Sequence, residues 1–228
     1  MLARMDKIII SEITPSSIKK DDFGNRKAYL SISITNNFHF SKNVKSQVEF
    51  MEKNFSRFVI VIGDHLCRHN RLIDSNLNEE EHIKECLLKG KLIKNNYSKF
   101  LKNKNDIIHW KDLYSTQTFE KNILLVKNEY KHNHNFQKSI INSAEKFIER
   151  KEKRMELNKT INLNDAISLS ISYVLEELAI MNMMIEDDFI IQSYLGSNIQ
   201  ILKQLANNSF STDLLLNKGI YLDLKIKK

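Results

Sequence analysis

Hydrophobic positions change period several times along the chain, and each change marks an element. Ala28-Tyr-Leu-Ser-Ile-Ser-Ile34 is rich in β-branched and apolar residues and follows the turn-like Asp21-Asp22-Phe23-Gly24-Asn25, so it predicts a strand. Across 42–56, Val44, Val48, Met51 and Phe55 recur at spacings of four, three and four, the period of one helix face. Phe58-Val-Ile-Val-Ile-Gly63 is an unbroken apolar run that suits a parallel strand covered on both faces. A long helix is predicted over 79–104, opened by Glu79, Glu80 and Glu81 at the positive end of its dipole. Asp106-Ile-Ile-His-Trp110 reads as a short strand, 117–157 as mostly helical, and 164–185 as the most apolar helix of the chain. A strand at Phe189-Ile-Ile-Gln-Ser193, a helix near 198–207 and a strand over 220–226 complete the pattern.

The alternation β-α-β-α-β predicts an α/β fold with an open, mostly parallel sheet and helices on both faces. No repeat or linker-like composition divides it, so a single domain over 1–228 is expected. Five Gly and one Pro are too few for an all-β architecture or a Gly-rich phosphate loop. Ile8–Ile10 is too short for a signal peptide, and no stretch approaches the ~18 uncharged apolar residues of a membrane span. A soluble cytoplasmic protein is expected. Its two cysteines, Cys67 and Cys86, make no disulfide framework.

Charge adds a direction. The chain carries 35 Lys+Arg against 28 Asp+Glu, a net +7, which points weakly to a polyanionic partner. Much of the excess is local: residues 84–104 hold seven lysines and one glutamate, Glu85. In helical projection Lys84, Lys91, Lys94, Lys99 and Lys102 fall within roughly 140°. Ile83, Ile93, Tyr97, Phe100 and Leu101 lie opposite with Cys86 and Gly90, although Leu87, Leu88 and Leu92 blur the division. Such a stripe matches a phosphate-backbone footprint. By contrast, Glu145, Glu149, Glu152 and Glu156 alternate with Lys146, Arg150, Lys153 and Arg154, the pattern of a self-neutralising intrahelical lattice.

Three residues carry the candidate chemistry. Ser33 lies where the first strand ends, with Asn36 three residues on, and ligands of parallel sheets bind beyond carboxyl strand ends. A polar strand end with an Asn helix cap reads the same way. Tyr173 and Glu177 are four apart and share one face of a helix that is apolar in nearly every direction. A carboxylate buried there would have a raised pKa suited to proton transfer; one at a solvent window would be structural only. Asp64-His65-Leu-Cys67-Arg-His69-Asn70 and His132-Asn-His134 gather possible metal ligands, but neither has zinc spacing, so no metal is assigned. GxxxxGK[ST], GxGxxG and HEXXH are all absent, which leaves ATP, dinucleotide and zincin readings without support.

Together these segments resemble the tRNA-dependent cyclodipeptide synthases. Ser31-Ile32-Ser33-Ile34-Thr35-Asn36 is similar to the family's G-[LVI]-S-x-x-N, and Tyr173-Val174-Leu175-Glu176-Glu177-Leu178-Ala179 to its Y-[LVI]-x-x-E-[LVI]-P. Asp64, Arg68 and Asn70 match a D-x-x-x-R-x-N loop after the second strand, and Ile107-Ile-His-Trp110 a third strand segment. The resemblance spans about residues 28–205 in order. It implies a single Rossmann-like domain akin to the class I aminoacyl-tRNA synthetase catalytic domain, and a ping-pong aminoacyltransferase that joins two aminoacyl-tRNAs into a 2,5-diketopiperazine without ATP or other cofactor. Ser33 would be the nucleophile. Tyr173 and Glu177 would hold the amino group of the first aminoacyl moiety, with Glu177 also its proton acceptor, and Tyr194 would assist later proton transfers. Ser31 and Asn36 would line the substrate site, and the lysine helix would hold the first tRNA. Departures from the family are Ser31 for Gly, Ala179 for Pro, Leu195 where His often follows the tyrosine, and Lys27 six residues before Ser33 where His is usual. A non-catalytic RNA-binding α/β module using the 84–104 helix, and an ATP-using synthetase relative, are the alternatives.

Overall fold

The computed structural model describes residues 7–40, 43–75, 78–103, 106–154, 157–158 and 160–227. Lys104 and Glu156, both counted in the charge patterns above, lie outside them. Six strands form one sheet: β1 (Lys7–Thr14), β2 (Lys27–Ile32), β3 (Arg57–Ile62), β4 (Ile107–His109), β5 (Ile191–Leu195) and β6 (Ile220–Lys227), in the order β1-β6-β5-β2-β3-β4. All neighbours are parallel except the β1–β6 edge pair. The order reverses between β2 and β5, which opens a crevice at their carboxyl ends.

Alternate residues of the central strands feed two cores. Tyr29, Val59 and Val61 pack against α5 (Gln117–His132), α6 (His134–Lys153), α7 (Leu163–Glu186) and α8 (Gln200–Ala206). Ala28, Leu30, Ile32, Ile60 and Ile62 pack on the other face against α1 (Asn43–Asn54) and α3 (Glu79–Tyr97). Two short helices, α2 (Arg68–Asp74) and α4 (Trp110–Tyr114), follow the ends of β3 and β4. By length and composition α7 would cross a membrane, yet over half of that stretch is buried. It is a core helix of this fold.

Boundaries moved where caps intervene. The expected helix over 79–104 stops at Tyr97, because the Phe100 and Leu101 amides fold back onto the Tyr97 carbonyl. At its other end Asn78 caps Glu81 in a reciprocal capping box. The helical stretch 117–157 divides at Asn133, which ends α5 and caps α6 by accepting from the Phe136 amide at 3.1 Å. The strand expected at 189–193 starts at Ile191, since the Phe189 amide still bonds back to the Met184 carbonyl at 2.8 Å.

Gly90 sets the approach of α3 to the sheet. A Cβ there would meet Asp64 at 2.7 Å. Asp64 is fully buried, accepting from the His65 and Lys111 amides at 2.8 and 3.3 Å and facing His109 Nδ1 at 2.7 Å. Gly90→Ala is therefore expected to destabilise by roughly 1–3 kcal/mol despite alanine's better helix propensity. Urea denaturation measures this, and an unchanged midpoint would contradict it.

Candidate active site

Ser33 is the first residue past β2, in the crevice where strand order reverses. Its backbone is fixed by His39, whose Nδ1 accepts the Ser33 amide proton at 2.9 Å. Burial lowers the His39 pKa to about 4, so the ring is neutral and suited to accept. The Ser33 hydroxyl lies 3.0 Å from the Thr35 hydroxyl. On β5, Tyr194 stands beside Ser31 of β2 in register, and its ring meets His39 edge to face at 5.3 Å. Gly196 follows at φ 143°, where a Cβ would lie 2.9 Å from the Tyr194 ring. Glycine alone leaves that ring its place.

From α7 on one sheet face, Tyr173 and Glu177 reach the same crevice. Ser33, Tyr173, Glu177, Tyr194 and Gln192 line one pocket of about 230 Å³. A smaller chamber of about 40 Å³ continues inward between Ser31, Gly63 and Trp110, again bordered by Ser33 and Glu177. Burial raises the Glu177 carboxyl to about pKa 7, and its Oε2 has no hydrogen-bond partner among the described residues. Burial, reinforced by Glu177 and Tyr194, holds the Tyr173 hydroxyl protonated. Gln192 Oε1 is likewise buried without a partner. Orphaned acceptors around a serine hydroxyl make a site for a polar, proton-bearing group.

No protein-family model matches the sequence, and no curated protein matches it. Solved structures do. A cyclodipeptide synthase (CDPS) from Fluoribacter dumoffii superposes with a TM-score of 0.80 at 20% identity, over 98% of this chain and 100% of that one. The chain has the cyclodipeptide synthase fold. A cyclodipeptide synthase from Candidatus Glomeribacter gigasporarum, solved bound to Phe-tRNAPhe, gives a TM-score of 0.64 at 20% identity over 95% of this chain and 94% of that one. A Mycobacterium tuberculosis protein, whose structure demonstrates that cyclodipeptide synthetases are related to type I tRNA-synthetases, gives 0.68 at 8% identity over 89% and 87%. The expected kinship with the class I synthetase catalytic fold rests on that likeness.

Within this cyclodipeptide synthase fold, two adjacent glutamates are pushed apart. Burial opposes ionisation of Glu176, but His69 and Arg68 outweigh it and lower its pKa. Arg68 grips both Glu176 oxygens at 2.7 and 3.0 Å, and Glu79 lies 3.3 Å from its Nε. This clamp ties α2 to α7 one residue from Glu177. The sequence marked Arg68 as part of a loop motif without revealing its partner. Arg68→Ala leaves the buried Glu176 carboxylate with His69 as its remaining ionic partner among the described residues and is expected to cost about 3 kcal/mol. Chemical denaturation reads that loss, and a change below 1 kcal/mol would refute the clamp.

The remaining residues singled out in the sequence divide between the crevice, which Ser31 borders, and other places. Asn36 donates to the Leu195 carbonyl at 3.0 Å and lies 3.5 Å from the Tyr194 hydroxyl, so it braces β5. Ser31 accepts from Gln192 Nε2 at 3.0 Å across the strand pair. Lys27 pairs with Asp188 at the opposite end of β2 from Ser33, so its departure from the family pattern falls away from the site. Ala179 lies inside α7, which runs through it unbroken. Of the lysine stripe, Lys84, Lys91 and Lys94 share α3, while Lys99 and Lys102 lie beyond its end, so the five-residue arc is not one helical face. Lys84 also pairs with Glu80, and Leu88 and Leu92 are exposed among the lysines.

The expected lattice of 145–156 does not form among the described residues. Lys151 reaches Asp74 on α2 at 2.6 Å, and Arg150 turns to the rim of the pocket that holds Ser33. Among the described residues of this stretch the spacing offers one oppositely charged i,i+4 pair, Glu149 with Lys153, and an exposed pair is worth too little to hold long side chains against other partners. The clustered metal-type residues diverge too. Asp64 meets His109, His69 faces Glu176, and Cys67 meets Cys86.

Proposed function

We propose that this chain is a tRNA-dependent cyclodipeptide synthase. The carrying observation is the convergence of Ser33, Tyr173, Glu177 and Tyr194 on one pocket at the strand-order reversal. Ser33 Oγ attacks the ester carbonyl of a first aminoacyl-tRNA. The bond to the tRNA ribose breaks, the departing hydroxyl takes the proton, and an aminoacyl ester stays on Ser33. Tyr173 and Glu177 hold the amine of that group. The amine attacks the carbonyl of a second aminoacyl-tRNA, giving a dipeptidyl ester and a second free tRNA, while Glu177 accepts the amine proton. The new terminal amine then attacks the Ser33 ester, releasing the 2,5-diketopiperazine and restoring the hydroxyl, with Tyr194 assisting the proton transfers.

Both incoming esters are already activated, so the protein's part is positioning and proton handling. A carboxyl with a pKa near 7 suits that part, since it accepts and returns a proton at neutral pH. Lys84, Lys91 and Lys94 supply positive charge for the first tRNA, and aminoacyl-tRNA substrates place the reaction in the cytoplasm. Expression in a bacterial host with mass spectrometry of the medium tests this directly. A cyclic dipeptide is expected that a Ser33→Ala control lacks. Its absence, with no acyl adduct on purified chain given charged tRNA, overturns the proposal.

A further inference from the structure

A second polar cavity, of about 390 Å³, lies between α6 and α8. Lys138, Asn142 and Lys146 line it from α6, Gln200 and Gln204 from α8, and the half-buried Phe210 closes one side. Ser143 borders both this groove and the Ser33 pocket, so the two adjoin along α6, and Arg150 of the same helix lines the pocket. No carboxylate lines the groove among the described residues, and Glu145 and Glu149 of the same helix line neither cavity. Its floor is fixed by the Ser139 hydroxyl donating to Gln204, and the Phe210 ring is held near edge-on by Phe136 at 6.1 Å.

Cations along one wall, amide groups along both, and an aromatic ring between them form the chemistry that takes single-stranded nucleic acid. Lysines meet phosphates, amides meet base edges and the ring stacks. The groove also lies on the α5–α8 face of the sheet, whereas the α3 lysines lie on the opposite face. Resting on the function proposed above, we infer that the α6–α8 groove takes the single-stranded 3′ end of the second aminoacyl-tRNA and leads it to the aminoacyl group on Ser33. Cationic surfaces on opposite faces of the sheet give the second tRNA its own approach while the first aminoacyl group stays on Ser33.

Two measurements on the full chain test this. An RNA acceptor stem with photoreactive nucleotides in its single-stranded 3′ segment is expected to crosslink to peptides of α6 and α8. Crosslinks confined to other elements overturn the inference. In a two-stage assay, acyl-enzyme is formed from one aminoacyl-tRNA, isolated, and then given a second. Lys138 and Lys146 are exposed, so Lys138→Ala/Lys146→Ala is expected to fold normally. It should form acyl-enzyme within about twofold of the parent rate and release dipeptide about tenfold more slowly at limiting second tRNA, with a salt dependence flattened by roughly 1.4 in log–log slope. Equal losses in both stages, a loss in the first alone, or no loss overturns the assignment. If the parent chain forms no acyl-enzyme, the proposed function has failed, and the crosslink map still decides whether RNA occupies the groove.

Discussion

Ser33→Ala is expected to leave no aminoacyl adduct on the chain and to lower cyclic dipeptide output by about 10³-fold or more. In the proposed reaction this oxygen carries the acyl group between the two half-reactions, so no neighbouring group substitutes for it by proton transfer alone. The fold should barely notice. The Ser33 hydroxyl contacts the Thr35 hydroxyl and amide at 3.0 and 3.4 Å and the Tyr194 hydroxyl across the crevice, and the backbone bond to His39 survives the substitution. A stability change within about 1 kcal/mol is expected. Intact-mass measurement after incubation with charged tRNA reads the adduct. Thr35 gives the test its edge, because its hydroxyl is an alternative nucleophile 3.0 Å from that of Ser33. An adduct that persists in Ser33→Ala and disappears on Thr35→Ala would move the nucleophile by two residues and overturn the present assignment.

Local patterns made much of this legible. The apolar runs of β2 and β3 and the period of α7 followed from burial on two faces, and Ser33, Tyr173 and Glu177 could be singled out from strand end and helix spacing. What stayed hidden depends on contacts distant in sequence. β1 has no clear strand signal because Lys7, Ser11 and Glu12 dilute its apolar residues, and it forms by pairing with β6 at the far end of the chain. His39 gives no sequence signal, since its role is one bond to the Ser33 amide. Arg68 and Glu176 are 108 positions apart, and nothing local says that each is the other's counter-ion. The charge alternation around Lys146 and Arg150 differs from the structure for the opposite reason. Its local meaning was clear, but tertiary placement beside a pocket and a groove set the side chains' positions.

Glu177→Gln is expected to stop the second half-reaction while stabilising the fold, and both effects depend on pH. Burial raises the folded carboxyl from 4.5 to about 7. A raised carboxyl pKa means that the folded chain keeps a proton the unfolded chain has lost between those values. Its contribution to stability is fully present below pH 4.5 and fades as pH rises through 7. Glutamine stays neutral throughout, so its advantage over the parent should be small near pH 4.5. Above pH 7 it should grow to at most about 3 kcal/mol, or several degrees in Tm. Catalysis runs the other way. Only the carboxylate accepts a proton, so the parent's dipeptide-forming step should rise about tenfold per pH unit below 7 and level off above it. Glu177→Gln should show a flat profile about 10²–10⁴-fold lower. Thermal melts from pH 5 to 8 and single-turnover rates over the same range provide the comparison. A stability gap that does not widen with pH would mean that Glu177 is solvated, not buried. A variant that keeps more than about a tenth of the parent rate would remove Glu177 from proton transfer and leave it a structural carboxyl beside Tyr173.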